Sequence, residues 1–315
     1  MKNKRVTFVL IVIAVSLLMT YLIFFTKAEK KIVLMKTTVQ QSIMEANSEK
    51  LKMQKTKEKN TQITQPQEIS AEMPIGRNVK QKEVVPQKVI ILEYHDIRPI
   101  SKGEENLSKY NYSTDPKIFE QEIEYLYKNG YRTVTLKELH NLWEKNIPVK
   151  DKLVVLTFDD GDSGVYKYAY PILQKYNIHF VVFLITKHTI TGDNDFYMNQ
   201  LQVQEMLDSG LCELGGHTVN HVDLSKLSYN EQLKEIQGCM KDIQLMFNYT
   251  PVSFCYPFNK YNVDSVNIVG KCGYKMATVK SGIAQKNYNH LLLPRIDVSA
   301  IRNVKDFTKI FLNYK

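Results

Sequence analysis

The chain has 315 residues, 43% of them hydrophobic, enough for one large domain or two small ones. Its formal net charge is +9, yet the excess is confined to Lys2, Lys4, Arg5 and residues 26–88, which hold 13 basic and 7 acidic side chains; from residue 89 onward there are 26 of each sign. This distribution argues against a nucleic-acid groove and for a basic tether beside a membrane or an anionic wall.

Residues 1–27 read as a cytoplasmic tip and signal anchor. "MKNKR" precedes an uncharged, mostly apolar run, Val6 to Phe25, long enough to span a bilayer. The basic tip directs the rest of the chain outward, although Lys27, Lys30 and Lys31 blunt that signal. The small-x-small site near Ala28 is weak, which favours an uncleaved anchor over a secreted product. Residues 28–87 are rich in Lys, Gln, Thr, Glu and Ser and poor in aromatics, and read as a disordered or partly helical tether. Export would permit disulfides. Cys212, Cys239, Cys255 and Cys272 lack CxxC spacing, and buried free thiols are the default reading.

From residue 88 the pattern is strand, then helix, repeatedly. "KVIILEYH" reads as a buried strand and "DPKIFEQEIEYLYKNG" as a helix capped by Asp115, with Pro116 in its first turn and Gly130 beyond its end. The strand "YRTVTL" and the helix "LKELHNLWEKN" follow. Next come the strand "KLVVLTF" and the helix "YKYAYPILQKY", in which Pro171 marks a kink or a late start. "HFVVFLI" and "LCELGGH" are strands separated by the helix "QLQVQEMLDSG". The long helix from Tyr229 opens on a Ser228–Glu231 capping box. The strands "VSFCYPF", "YKMATV" and "LLLPRIDV" and two more helices complete the chain. Seven or eight such units imply an α/β fold with a parallel sheet: a distorted (β/α) barrel, closed or incomplete. An open doubly wound sheet competes, but no GxGxxG or GxxxxGK loop follows any strand.

The unusual polar residues fall at strand C-terminal ends: His95, Asp159 and Asp160, His217 with His221 just beyond, Tyr256 to Asn259, and Arg295 to Asp297. In a βα barrel these positions converge on one face. Two adjacent carboxylates at a buried strand end repel and lose water, so one needs a neutralising partner. Turn chemistry is the plain alternative. His217 and His221 at i, i+4 share a face if they lie on a helical turn, and with one Asp they form a 2-His-1-carboxylate set. The missing Glu of HExxH disfavours a zincin. Val219 stands where a non-haem iron site places its carboxylate.

"TFDDG", "HTVNH" and "YPF", in this order, resemble the polysaccharide deacetylases with a NodB-type domain (carbohydrate esterase family 4), over residues 88–315. The resemblance implies a (β/α) barrel and metal-dependent removal of acetyl groups from sugars. It implies Asp159 as general base, Asp160, His217 and His221 as metal ligands, and the backbone N–H of Phe258 as oxyanion donor. Zn2+ is the default ion, with Co2+ or Ni2+ also suited to the set. Two departures stand out: Cys255 occupies the position of the family's motif Arg, and Asn259 that of its Gly. Arg295 is a candidate replacement for orienting the base, and Tyr256 and Asn259 are candidate substrate contacts. The family's late acid His is absent, but "LEYH" places His95 on the first strand, beside the last in a closed barrel. His95 is thus the expected general acid in a circularly permuted order, with Asp96 as its partner. That layout resembles the biofilm deacetylases of poly-β-1,6-N-acetylglucosamine. Peptidoglycan, chitin oligomers and O-acetyl esters are rival substrates. A non-catalytic glycan-binding module and a structural wall protein are rivals from other classes. His140 in a helix, His179 at a strand start and His188 and His290 in loops take no functional reading, and Tyr166, Tyr170, Phe247 and Trp143 take a packing one.

Overall fold

The computed structural model describes residues 83–103, 107–108, 111–191, 196–299 and 301–312, all within the compact unit Val79–Lys315. The expected anchor, and the tether as far as residue 82, lie outside the described residues. Among the described residues no helix is long and apolar enough to cross a membrane. Residues just before the first strand pack onto the body: Val84 pairs with Val149, and the Trp143 indole N–H donates to the Pro86 carbonyl at 2.7 Å.

In chain order the strands are β1 (Lys88–Tyr94), β2 (Asp96–Ile97), β3 (Ser113–Thr114), β4 (Tyr131–Thr133), β5 (Lys152–Phe158), β6 (Phe180–Leu184), β7 (Cys212–Gly216), β8 (Ser253–Cys255), β9 (Met276–Lys280), β10 (Ala284–Gln285) and β11 (Leu293–Asp297). Seven of them, β1, β5, β6, β7, β8, β9 and β11, pair in parallel around a closed ring. β1 closes it, with Ile90 to Tyr94 against Val154 to Phe158 on one side and Leu92 and Glu93 against Ile296 and Asp297 on the other. The barrel is therefore complete, and the open-sheet alternative falls. β4 extends from β5, and β10 runs antiparallel to β1.

Residue alternation along each strand divides the core. Ile90, Leu92 and Tyr94 pack outward with Phe119, Ile123 and Leu126 of the helix Pro116–Lys128. Val89, Ile91, Val155, Val181, Phe183 and Leu293 fill the interior. Continuing that inward alternation toward the strand C-termini puts Glu93 and His95 above Ile91, and Thr157 and Asp159 above Val155. The helices start where their caps stand. The Asp115 side chain accepts from Lys117 N–H, and Ser228 and Glu231 form their reciprocal box. Around Pro171 the chain first makes a π-helical turn, Val165–Ala169, and then the α-helix Tyr170–Lys175. Proline sits in the first turn of that α-helix, where its missing N–H costs nothing.

Candidate active site

Asp159 and Arg295 meet at the C-terminal mouth of the barrel. The guanidinium donates Nη1–H to Oδ1 and Nη2–H to Oδ2, both at 2.7 Å. Arg295 is 2% exposed and Asp159 3%. The fork is held in turn: Nη1 donates to Thr157 Oγ1 at 2.9 Å, and Nη2 lies 3.1 Å from Glu93 Oε2. Burial pushes the Asp159 carboxyl up, but the Arg295 guanidinium beside it outweighs burial and holds it well below the usual carboxylate range. The Cys255 thiol lies 3.3 Å from Asp159 Oδ2 and 3.1 Å from Arg295 Nη2, so it fills the end of the fork.

Asp160 points the other way. Its Oδ1 is buried without a hydrogen-bond partner, yet it stands 3.3 Å from Nε2 of both His217 and His221. One ligand atom from each of the three residues lies within 4.8 Å of the others. His217 Nδ1 faces the Cys255 carbonyl at 2.8 Å. Burial pushes His217 down, but Cys255, Asp160 and Asp159 around it outweigh burial and hold the imidazole well above its usual range, with Nε2 facing the Asp160 oxygen. Burial and the neighbouring His217 push His221 down to about 4, so it is neutral at pH 7. Two imidazole nitrogens and a carboxylate oxygen converging on one partly buried point fit a divalent cation, which would displace any proton between them, and the backbone carbonyl behind His217 is the support such a ligand needs.

Backbone strain builds this site. Asp160, Thr218, His221 and Phe258 all adopt positive φ, at 68°, 65°, 54° and 57°. Gly161 at φ 80° completes the turn after Asp160. His217 and His221 are not on a helical turn, as their spacing predicts, but on an irregular one. Thr218 Oγ1 accepts the His221 N–H at 2.9 Å. Glu235, from the helix Tyr229–Phe247, accepts the N–H groups of Val219 and Asn220 at 3.1 and 2.9 Å. These bonds bring both imidazoles to one point.

His95 lines the same pocket as Asp159, Asp160, His217, His221, Phe258 and Arg295, about 170 Å³ in volume. Its Nδ1 is 3.3 Å from Ser299 Oγ and its Nε2 3.9 Å from Glu93 Oε1. Asp96, expected as its partner, instead pairs with Arg98. β2 turns that carboxylate away from the pocket, and Glu93 takes its place because residues two apart on a strand share a face. Phe258 packs on His221 with ring centroids 4.3 Å apart. The loop's own hydrogen bonds use the N–H groups of Asn259 and Lys260 and not that of Phe258. Tyr256 lines the pocket but is 2% exposed, and its hydroxyl is committed to the Leu291 carbonyl. Asn259 Oδ1 accepts Lys280 N–H.

Residues 146–277 match the family model for polysaccharide deacetylases. The poly-β-1,6-N-acetyl-D-glucosamine N-deacetylase of Staphylococcus aureus (strain MRSA252) is 30% identical over 202 residues, 60% of this chain and 69% of that one. YxkH of Bacillus subtilis (strain 168) is 31% identical over 215 residues, 68% of this chain and 72% of that one. The chain belongs to the polysaccharide deacetylase family. Among solved structures, the Streptococcus pyogenes deacetylase PplD in complex with acetate superposes with a TM-score of 0.66 at 29% identity, covering 71% of this chain and 98% of that one. IcaB from Ammonifex degensii does so with a TM-score of 0.59 at 25% identity, over 68% and 92%.

The candidate site contains residues that motif reading passes over. Glu93 is fully buried and contacts Arg295, Lys280 (3.0 Å) and His95. A Glu inside the apolar run "KVIILEY" was the signal for it. Glu235 and Thr218 left none, because their role lies in the path of the backbone. Asp162 also lines this pocket, and burial together with Asp160 pushes it up to about 7. The four cysteines are free, and Cys212, Cys239 and Cys255 are buried.

Proposed function

We propose that this chain is a metal-dependent N-deacetylase of an extracellular GlcNAc polymer, with poly-β-1,6-N-acetylglucosamine as its substrate. The observation that carries the reading is the sharing of one pocket by the Asp159–Arg295 fork and the Asp160–His217–His221 cluster. Asp160, His217 and His221 would hold the ion, with Zn2+ favoured by the two-imidazole, one-carboxylate set. When bound, the ion supplies Lewis acidity toward the acetyl carbonyl and lowers the pKa of water. Asp159, kept ionised and aimed by Arg295, takes the proton of the attacking water. The Phe258 N–H donates to the developing oxyanion. His95, steadied by Ser299 and Glu93, protonates the departing amine. β1 pairs with β11, so His95 ends a strand beside the last one, which supports a circularly permuted order with His95 in the role of the late acid histidine. Asn259 borders the sugar, and Tyr256, nearly buried, lines the pocket beside it.

The β-1,6 linkage is supported by the substrate named for the Staphylococcus relative. In this reading Val6 to Phe25 anchors the chain in the cell membrane, residues 28–87 tether it, and the catalytic domain is extracellular.

The test is acetate release by the full chain in detergent micelles from β-1,6- and β-1,4-linked GlcNAc oligomers, with and without chelator, beside Asp159→Asn. Chelator-sensitive release from the β-1,6 series, abolished in the variant, is expected. Release only from the β-1,4 series would move the substrate to peptidoglycan or chitin. Metal binding and glycan binding without release would make the chain a glycan-binding module.

A further inference from the structure

The catalytic pocket, at about 170 Å³, is smaller than the roughly 300–1,000 Å³ of clefts that enclose a small ligand. It admits an acetamido group and a ring edge, so the rest of a polymer must bind elsewhere. A second groove, of about 630 Å³, lies between the π-helical turn Val165–Ala169 with its following helix and the helix Gln200–Asp208. The two are lined by residues adjacent in the chain and across one β-bridge. Asp162 lines the catalytic pocket, and Ser163 and Tyr197 line the groove. Asp162 bridges Tyr197, and Ser163 N–H donates to the Phe196 carbonyl at 2.7 Å.

The chemistry of the groove fits a sugar. Tyr166 and Tyr170 stack at 5.9 Å with planes 24° apart. Glu205 fixes both rings: its Oε2 accepts the Tyr166 hydroxyl at 2.7 Å and its carbonyl the Tyr170 hydroxyl at 3.4 Å. Asn199 and Gln202 spend their carboxamide oxygens on each other's backbone N–H, which leaves their amide nitrogens as donors. Gln174 adds a further amide on the opposite wall. One Lys and one Glu among the lining residues cancel in charge, which suits a neutral polyol better than an anion. π-Helical turns recur at functional sites because the extra residue re-aims side chains.

We propose that this groove is a distal subsite for sugar residues of the polymer whose acetamido group enters the catalytic pocket. The proposal rests on the deacetylase reading of the pocket. Sugars held there contribute binding energy remote from the reacting bond, so catalytic efficiency depends on chain length.

The experiment measures kcat/KM for acetate release by the full chain on a GlcNAc oligomer series from dimer to hexamer, for wild type, Tyr166→Ala and Gln174→Ala. Gln174 is exposed, so its variant carries no folding risk. Wild-type efficiency should climb with length. The climb should fall about tenfold in Tyr166→Ala and about threefold in Gln174→Ala, with the dimer unchanged in both. A flat wild-type series overturns the subsite, as do variants that lose equally at every length or lose nothing. If wild type releases no acetate from any oligomer, the deacetylase reading fails by itself. The groove is then judged by calorimetric titration of the hexamer into the same three proteins. Weaker binding by the variants supports it, and equal binding overturns it.

Discussion

Arg295 and Asp159, 136 residues apart in the chain, form a two-bond ion pair across the mouth of the barrel, each N···O distance 2.7 Å. β1 lies between their strands, and its Glu93 touches the same guanidinium. The guanidinium that pairs with Asp159 thus comes from the last strand, and Cys255, where the family motif has Arg, packs against both partners.

Arg295→Lys should lower kcat/KM about 100-fold, because an ammonium cannot reproduce the planar fork. The acid limb of the pH–rate profile should also move to higher pH, since burial, which raises Asp159, is then less opposed. An unmoved limb would show that the fork does not set the ionisation of the base.

Chelation should abolish acetate release, and added Zn2+ should restore it. Asp160→Ala should fail to retain metal by elemental analysis. Adding Zn2+ to the stripped wild type should raise Tm, and the variant should show no rise. Equal metal content in wild type and variant would place the ion elsewhere.

Glu235→Ala should weaken metal affinity about 10- to 100-fold although it touches no ligand atom, because it releases the turn that carries both histidines. Competition with a chromophoric chelator reads this directly.

Glu93→Gln should destabilise the fold by about 3–5 kcal/mol, the range for removing one partner of a buried charge cluster. Denaturant unfolding measures it. A loss below about 1 kcal/mol would mean that Asp159 and Asp297 satisfy Arg295 and Lys280 without it.

Glu122, buried under the Tyr94 hydroxyl, is pushed by burial up to about 8 from near 4.5. Its folded pKa is raised, so its contribution is complete below pH 4.5 and lost as pH rises through 8. Between those values the folded state holds the extra proton, and stability should fall by up to about 1.4 kcal/mol per pH unit. Thermal unfolding at pH 5, 6.5 and 8 should show a weaker pH dependence for Glu122→Gln than for wild type.

Local patterning carried much of this structure. The apolar runs ending on His95, Asp159 and His217, and the caps at Asp115 and Ser228, identify strands and helices because alternation and capping are properties of neighbouring residues. The two-residue strands β2, β3 and β10 escaped, since so short a segment has no period. The helical turn expected at His217–His221 failed because Thr218 and Glu235 impose a different path, and a side chain 16 residues beyond Val219 leaves no trace in local spacing.

The sequence by itself determined the alternation of strands and helices along the chain, the acidic pair at the end of β5 and the imidazole pair after β7, because each is written within a few consecutive residues. Tertiary structure alone decided that the barrel closes, that Arg295 rather than a motif arginine holds Asp159, and that Glu93 rather than Asp96 stands beside His95. Those are contacts between segments distant in the chain, and they exist only once strand pairing has set which inward-facing side chains share the low-dielectric mouth of the barrel.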